Sequence, residues 1–243
     1  MKYLYAILIL ILPSFILRFI SKLFKHKRFN LTGGGIGFSL VLSNSIALTN
    51  NSRIGHFNII RCKDIAMNHS SIGHLNFIKG CFSVIMENKS WIRNQNKISA
   101  TIGSSYKDVN LILMEGAAIG VGHLLDMTDD ITIGKYSMLA GCDTQIWTHS
   151  FYFSKNSCKY ARVDAPVVIG DHCYIGARCT INSGVTISDA ITIGSATCVS
   201  KSLKEQGLYV SQGLRFIQFD PDEKIHNLGE PVKFSHIYRR NKC

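Results

Sequence analysis

Between Ile133 and Val199 an aliphatic residue returns at intervals of six: Ile133 and Leu139, then, after a break, Ile169, Ile175, Ile181, Ile187, Ile193 and Val199. Two positions earlier runs a second series of small or β-branched residues, Val167, Cys173, Cys179, Val185, Ile191 and Thr197. An α-helix repeats every 3.6 residues and an ordinary strand every two, so a period of six is neither. It is the period of a hexapeptide-repeat β-helix, in which each unit forms one flat side of a coil. The aliphatic points inward and stacks on its counterparts in neighbouring turns. Glycine follows it at Gly134, Gly170, Gly176 and Gly194, where a corner must be rounded without a Cβ clash.

A looser repeat precedes this one. Ile36-Gly37, Ile54-Gly55 and Ile72-Gly73 are spaced by eighteen, which is three hexapeptides and predicts one triangular coil per eighteen residues. His56 and His74, like Asn58 and Asn76, occupy equivalent places in successive coils, so they are expected to stack as a surface ladder rather than to hold a metal or ligand. From Trp91 to Asp108 the register slips, through either an imperfect coil or a small excursion. Periodicity resumes at Leu113, Ile119 and Leu125, passes a corner with extra residues at 126–130, and re-registers at Ile133. The polar stretch within Phe151–Pro166 has no place inside a coil and predicts a loop thrown out of the prism. Loops of that kind on a rigid scaffold carry function. After Val199 the pattern fades, with the end of the prism expected by Gln218. A charged tail, 219–243, is suited to covering the open strand edge of the last coil.

The first 30 residues differ from the rest. Tyr3 to Leu17 is an uncharged, mostly aliphatic run, followed by Arg18, Lys22, Lys25, Lys27 and Arg28. Fifteen residues fall short of the ~20 that a spanning helix needs. Positive charge after the run argues against a cleaved signal peptide. It suits either a signal-anchor with the bulk of the chain on the cytoplasmic side or an in-plane amphipathic helix. The expectation is a cytoplasmic protein held at the inner membrane face through residues 1–28. Three segments follow: a hydrophobic, basic N-terminus (1–30), a β-helix domain (31–218, loop about 151–166) and a tail (219–243).

Composition narrows the function classes. The formal net charge of +11 over 243 residues suits an anionic surface, a polyanion or a phosphorylated ligand. No nucleic-acid motif accompanies that charge, so nucleic acid is not an expected partner. Eight cysteines without a CxxC pair read as reduced thiols, with Cys173 and Cys179 acting as small apolar residues of the coil.

The candidate for chemistry is His149, in Gln145-Ile146-Trp147-Thr148-His149-Ser150, where the regular scaffold meets its large polar insertion. Histidine titrates near neutrality and can take a proton from an attacking hydroxyl or amine. Trp147 and Thr148, beside it, are expected to contact the acceptor.

Several segments resemble the hexapeptide-repeat acyltransferases, most closely the galactoside, maltose and polysaccharide O-acetyltransferases. They are His149, Pro166 to Ala177, Ile181-Asn182-Ser183-Gly184-Val185-Thr186-Ile187, and Ile193 to Lys201. The resemblance spans about 113–218. It implies an all-β, left-handed parallel β-helix with an excluded loop, here flanked by a hydrophobic N-terminal helix and a short C-terminal extension. It also implies a homotrimer with active sites between subunits, acetyl-CoA as acyl donor, a sugar or glycan acceptor, and His149 as general base. Tyr174 would line the site, Ala177, Ser195 and Ser200 would meet the pantetheine arm, and Lys201 would approach the nucleotide phosphates. Departures are Ser188 where glycine is usual, Ser183 within the usual Asn-Pro-Gly, and Gly213-Leu214-Arg215 in place of Gly-x-Pro. The expected activity is O-acetylation of a sugar hydroxyl in surface polysaccharide assembly (LPS/O-antigen, capsule or exopolysaccharide). The alternatives are N-acetylation of an amino sugar nucleotide, or a non-catalytic scaffold. A zinc enzyme on this fold would need three histidines; beside His149, His123 is a possible distant zinc ligand, one more would be needed, and no metal is expected.

Overall fold

The computed structural model describes residues 16, 29–31, 33–100, 106–211, 227 and 237–239. The expected N-terminal helix and most of residues 1–30 lie outside this set, as does most of the tail. No helix among the described residues is long and apolar enough to cross a membrane.

The chain winds as a triangular prism whose three faces are parallel sheets of eight, nine and eight strands. Face A contains, among others, β4 (Ser45–Thr49), β10 (Phe82–Met86), β13 (Val109–Leu113), β16 (Ile131–Ile133) and β21 (Val167–Ile169). Face B includes β11 (Trp91–Ile92), β22 (Tyr174–Ile175), β25 (Ile191–Ile193) and β27 (Gly207–Tyr209). Face C includes β9 (Phe77–Lys79), β12 (Lys97–Ser99), β15 (Leu124–Asp126), β18 (Gln145–Ile146), β23 (Thr180–Ile181) and β26 (Cys198–Val199). Ile36 pairs with Ile54 and Ile54 with Ile72, so the eighteen-residue coil holds. The hexapeptide aliphatics are the core: Ile133, Leu139, Ile169, Ile175, Ile181, Ile187 and Ile193 are at most 1% exposed. Cys173 and Cys179 are buried with them, their thiols donating to Ser188 O (3.1 Å) and Gly194 O (3.3 Å).

Glycine after the aliphatic serves the stack more than the bend. A Cβ on Gly37 would stand 2.6 Å from the carbonyl oxygen of Gly55 in the next turn. The left-handed backbone of the A–B and B–C corners falls instead on residues such as Phe57, Leu75, Gln95, Tyr136, Arg178 and Ala196, at φ between 55° and 61°. Along the C–A corner, Gly184 alone among the described residues has positive φ.

Within the slip at 91–108, β11 and β12 form a regular half-turn, and residues 101–105 lie outside the described set. Trp91–Ile92 and Lys97–Ser99 are paired on both sides. The stretch 151–166 leaves the prism as expected, though as an ordered arm: β19 (His149–Phe153) and β20 (Tyr160–Asp164) form an antiparallel hairpin. The tail's described strand, β28 (Ile237–Arg239), pairs with β20 rather than covering the last coil. That coil ends in β27, paired with β25.

The histidine ladder stands at the surface, with the His56 and His74 rings stacked 5.5 Å apart. The asparagine ladder does not. Asn58 and Asn76 are each 1% exposed at the B–C corner, continued by the equally buried Asn96 and His123. Each asparagine carboxamide oxygen accepts the backbone N–H of the next rung, at 2.8–2.9 Å. Each amide group donates across to a carbonyl of the following turn, at Gly73, Arg93 and Gly120. Burial is tolerated because the polar atoms are satisfied within the stack. His123 Nδ1 accepts from Thr144 N at 3.1 Å, in a residue 1% exposed. This residue continues the ladder; no group of three or more metal-ligating side chains occurs among the described residues.

Candidate active site

The two widest intervals between core positions in equivalent register among the described residues fall at one corner, between faces C and A. Ile98 and Leu111, on either side of that corner, stand 13 apart, and Ile146 and Val167 stand 21 apart. The second interval contains the hairpin arm. Between the two intervals lies the corner 126–130. His149 opens the arm, so its side chain comes to rest against that corner.

His149 Nδ1 lies 2.8 Å from Asp126 Oδ2 and 3.2 Å from Thr128 Oγ1. The Thr128 hydroxyl donates to Asp126 Oδ1 at 2.9 Å. Thr148 donates to the same carboxylate from its backbone (3.1 Å) and its hydroxyl (2.8 Å), and that hydroxyl accepts from Asp129 N. Asp126 is therefore a carboxylate held at both oxygens, with its side chain only 10% exposed. Burial pulls its pKa up, but the hydrogen bonds and charge of His149 and the two threonine hydroxyls outweigh it, so the group sits below the usual carboxylate value. A carboxylate only accepts, so Nδ1 carries the imidazole proton and Nε2 is the basic nitrogen.

A second tier of charge backs the pair. Lys107 Nζ, two residues before β13, lies 2.6 Å from both Asp129 Oδ1 and Asp130 Oδ2. Asp129 is fully buried, and its other oxygen has no hydrogen-bond partner among the described residues. On the arm, Arg162 forms a forked pair with buried Asp164, at 2.8 and 2.9 Å. Burial nonetheless raises the Asp164 pKa, with Arg162 opposing the shift.

His149 and Asp126 close one end of a groove along face C, lined further by Phe77, Lys79, Lys97, Ser99, Leu124 and Trp147. Trp147 and Phe151 meet the imidazole edge-on, with centroids 6.0 and 5.4 Å away, and Phe153 and Tyr160 extend the aromatic surface along the arm.

The residues expected from the sequence are distributed unevenly around this groove. Trp147 lines it. Thr148 does not face it: the residue is buried, and its hydroxyl orients Asp126 instead of meeting an acceptor. Ser200 and Lys201 are exposed at the same corner as His149, two turns further along. Tyr174 stands half exposed on face B, and Ala177 and Ser195 sit at the B–C corner, so one chain alone does not bring them to His149. Asp126 was missed by the sequence reading, in which 126–130 was only an over-long corner.

Comparison with known proteins adds the following. Residues 166–199 match the family described as the hexapeptide repeat of succinyl-transferase. No curated protein matches the sequence. Among solved structures, the polySia-specific acetyltransferase NeuO is 16% identical, with 79% of this chain and 87% of that one covered, at a TM-score of 0.41. The polysialic acid O-acetyltransferase OatWY is 16% identical over 80% and 91%, at 0.37. A variant of the N-acyltransferase AntD from Bacillus cereus, in complex with dTDP and coenzyme A, is 15% identical over 85% and 92%, at 0.36. The match covers 34 of the 243 residues and, with the repeats continued in register through the rest of the prism, shows a hexapeptide-repeat fold.

Proposed function

We propose that the protein is an acetyl-CoA-dependent O-acetyltransferase acting on a sugar hydroxyl in surface polysaccharide assembly. The observation that carries this reading is the Asp126–His149 pair at the end of an open groove. His149 Nε2 takes the proton of the acceptor hydroxyl as its oxygen attacks the thioester carbonyl carbon. Asp126 holds the ring and steadies the imidazolium that forms. His149 then returns the proton to the departing thiolate sulfur, leaving an acetyl ester and free coenzyme A. No protein-bound acyl group is needed.

The same reading assigns the donor to the turns beyond His149, with Lys201 near its phosphates and Tyr174, Ala177, Ser195 and Ser200 along its arm. Since Tyr174, Ala177 and Ser195 lie away from the His149 corner, the reading requires a homotrimer of left-handed prisms in which the B–C corner of one copy faces the C–A corner of the next. Residues 1–28 would hold the trimer at the cytoplasmic membrane face, close to lipid-linked or nascent glycan.

The test is acetyl transfer from labelled acetyl-CoA to a host glycan fraction, read by mass spectrometry, for wild type and His149→Ala. Loss of about 10²–10⁴-fold in a folded variant is expected. Equal transfer by the variant would make His149 structural. Release of the label by mild base distinguishes an ester from the amide that an N-acetyltransferase would leave.

A further inference from the structure

Two ammonium groups in the groove have no part in the transfer chemistry. Lys79 and Lys97 line it together with His149, and neither forms an ion pair among the described residues. Their positions follow from strand register. Asp126 pairs with Ser99, Ser99 with Lys79, and Lys79 with Arg61, so one outward row of face C runs from the dyad into basic residues. The adjacent row carries Leu124, Lys97 and Phe77. Strands of a sheet lie about 4.8 Å apart, which puts Lys97 about one turn and Lys79 about two turns from Asp126. All of this lies on the N-terminal side of His149, opposite the turns assigned above to the donor.

We infer that this half of the groove is an acceptor subsite for an acidic glycan, with Lys79 and Lys97 receiving carboxylates on sugar residues next to the one acetylated. The inference rests on the acetyltransferase reading for the direction of the acceptor, and on the groove itself for its charge. The surface is composed for such a ligand. Phe77, Leu124 and Trp147 offer apolar area to the C–H faces of sugar rings, while the lysines stand between them. The only carboxylate lining the groove among the described residues, Asp126, is engaged by His149 and two threonines. A neutral glycan would leave both ammonium groups without a counter-charge. An acidic one supplies it within the span of a short oligosaccharide.

The experiment is equilibrium binding to the full chain of glucuronate- and galacturonate-containing oligosaccharides, each beside its carboxyl-reduced form. Acetyl-CoA binding is measured in parallel. Wild type is compared with Lys79→Ala/Lys97→Ala and with Lys89→Ala/Lys135→Ala, which removes the same charge from the far corner. At least one acidic form should bind better than its reduced partner. The groove variant should weaken that binding about five- to tenfold, as two partly exposed ion pairs allow. The far-corner variant should leave it nearly unchanged, and acetyl-CoA affinity should not move in either. The inference is overturned if no acidic form is preferred, or if both variants weaken binding equally. A selective loss of acetyl-CoA affinity in the groove variant would assign the lysines to the donor and also overturn it. Should acidic glycan bind through the groove while acetyl-CoA does not bind wild type at all, the subsite stands and the acetyltransferase reading falls.

Discussion

Two corners of the same prism have opposite histories of use. At the B–C corner, successive core residues stand five to seven apart in every turn, from Ile36 and Val41 to Ile193 and Val199. Asparagine, histidine and threonine fill its inside as a continuous hydrogen-bonded ladder. At the C–A corner the interval grows to 13 and 21, left-handed residues are nearly absent, and the Asp126–His149 pair is assembled. A ladder whose rungs depend on one another cannot admit an insertion without orphaning a buried polar group. A corner without one can. The Asp126–His149 pair accordingly stands where the repeat is free to vary.

The comparison breaks most visibly at the C–A corner. Asp126→Asn presents an amide where the imidazole needs an acceptor, so it should cost on the order of 10²-fold in kcat, with little change in acetyl-CoA KM. Steady-state kinetics on the purified variant measure both. At the B–C corner the currency is stability. Asn76→Ala orphans the Asn96 N–H and the Arg93 carbonyl, which should cost about 2–4 kcal/mol in denaturant unfolding while the folded fraction stays active.

Lys107→Ala gives a smaller effect of mixed kind. Removing the ammonium leaves buried Asp129 without its counter-charge, which should cost about 1–3 kcal/mol and loosen the corner that carries Asp126. Lys107→Arg should recover most of the loss.

The smallest effect is a matter of pH. Burial first, only partly opposed by hydrogen bonding and Asp143, holds the His123 pKa below its ordinary value of 6.5. For a base depressed in the folded state, the contribution to stability is present above the unfolded pKa and is lost as pH falls through the folded one. His123→Asn, which keeps a ladder acceptor and supplies an amide donor, should unfold like wild type at pH 8. It should hold its melting temperature better as pH drops below about 6.5.

Much of the prism was legible in the sequence because its core obeys a spacing, and spacing survives in a linear text. Even the apparent slip at 91–108 retained Ile92 and Ile98 six apart; the polar residues around them hid a regular half-turn. His149 stood out by its place at a boundary. Asp126 did not, since an aspartate among five corner residues signals nothing until the fold brings it against a histidine 23 positions away. The buried asparagines were hidden for a different reason: polar side chains are mostly surface residues, and only the stack shows that each has a partner. Thr148, adjacent to the histidine, is buried and spends its hydroxyl on the same Asp126 oxygen that His149 meets, a role that only the folded corner reveals.

The pairing of β20 with β28 ties residues 75 positions apart, Arg162 to Ile237. During synthesis the repeats can stack as they emerge, each turn on the one before. The arm that carries His149 cannot acquire its third strand until residues 237–239 have been made. A polypeptide arrested before Ile237 would therefore build its prism with an arm of two strands.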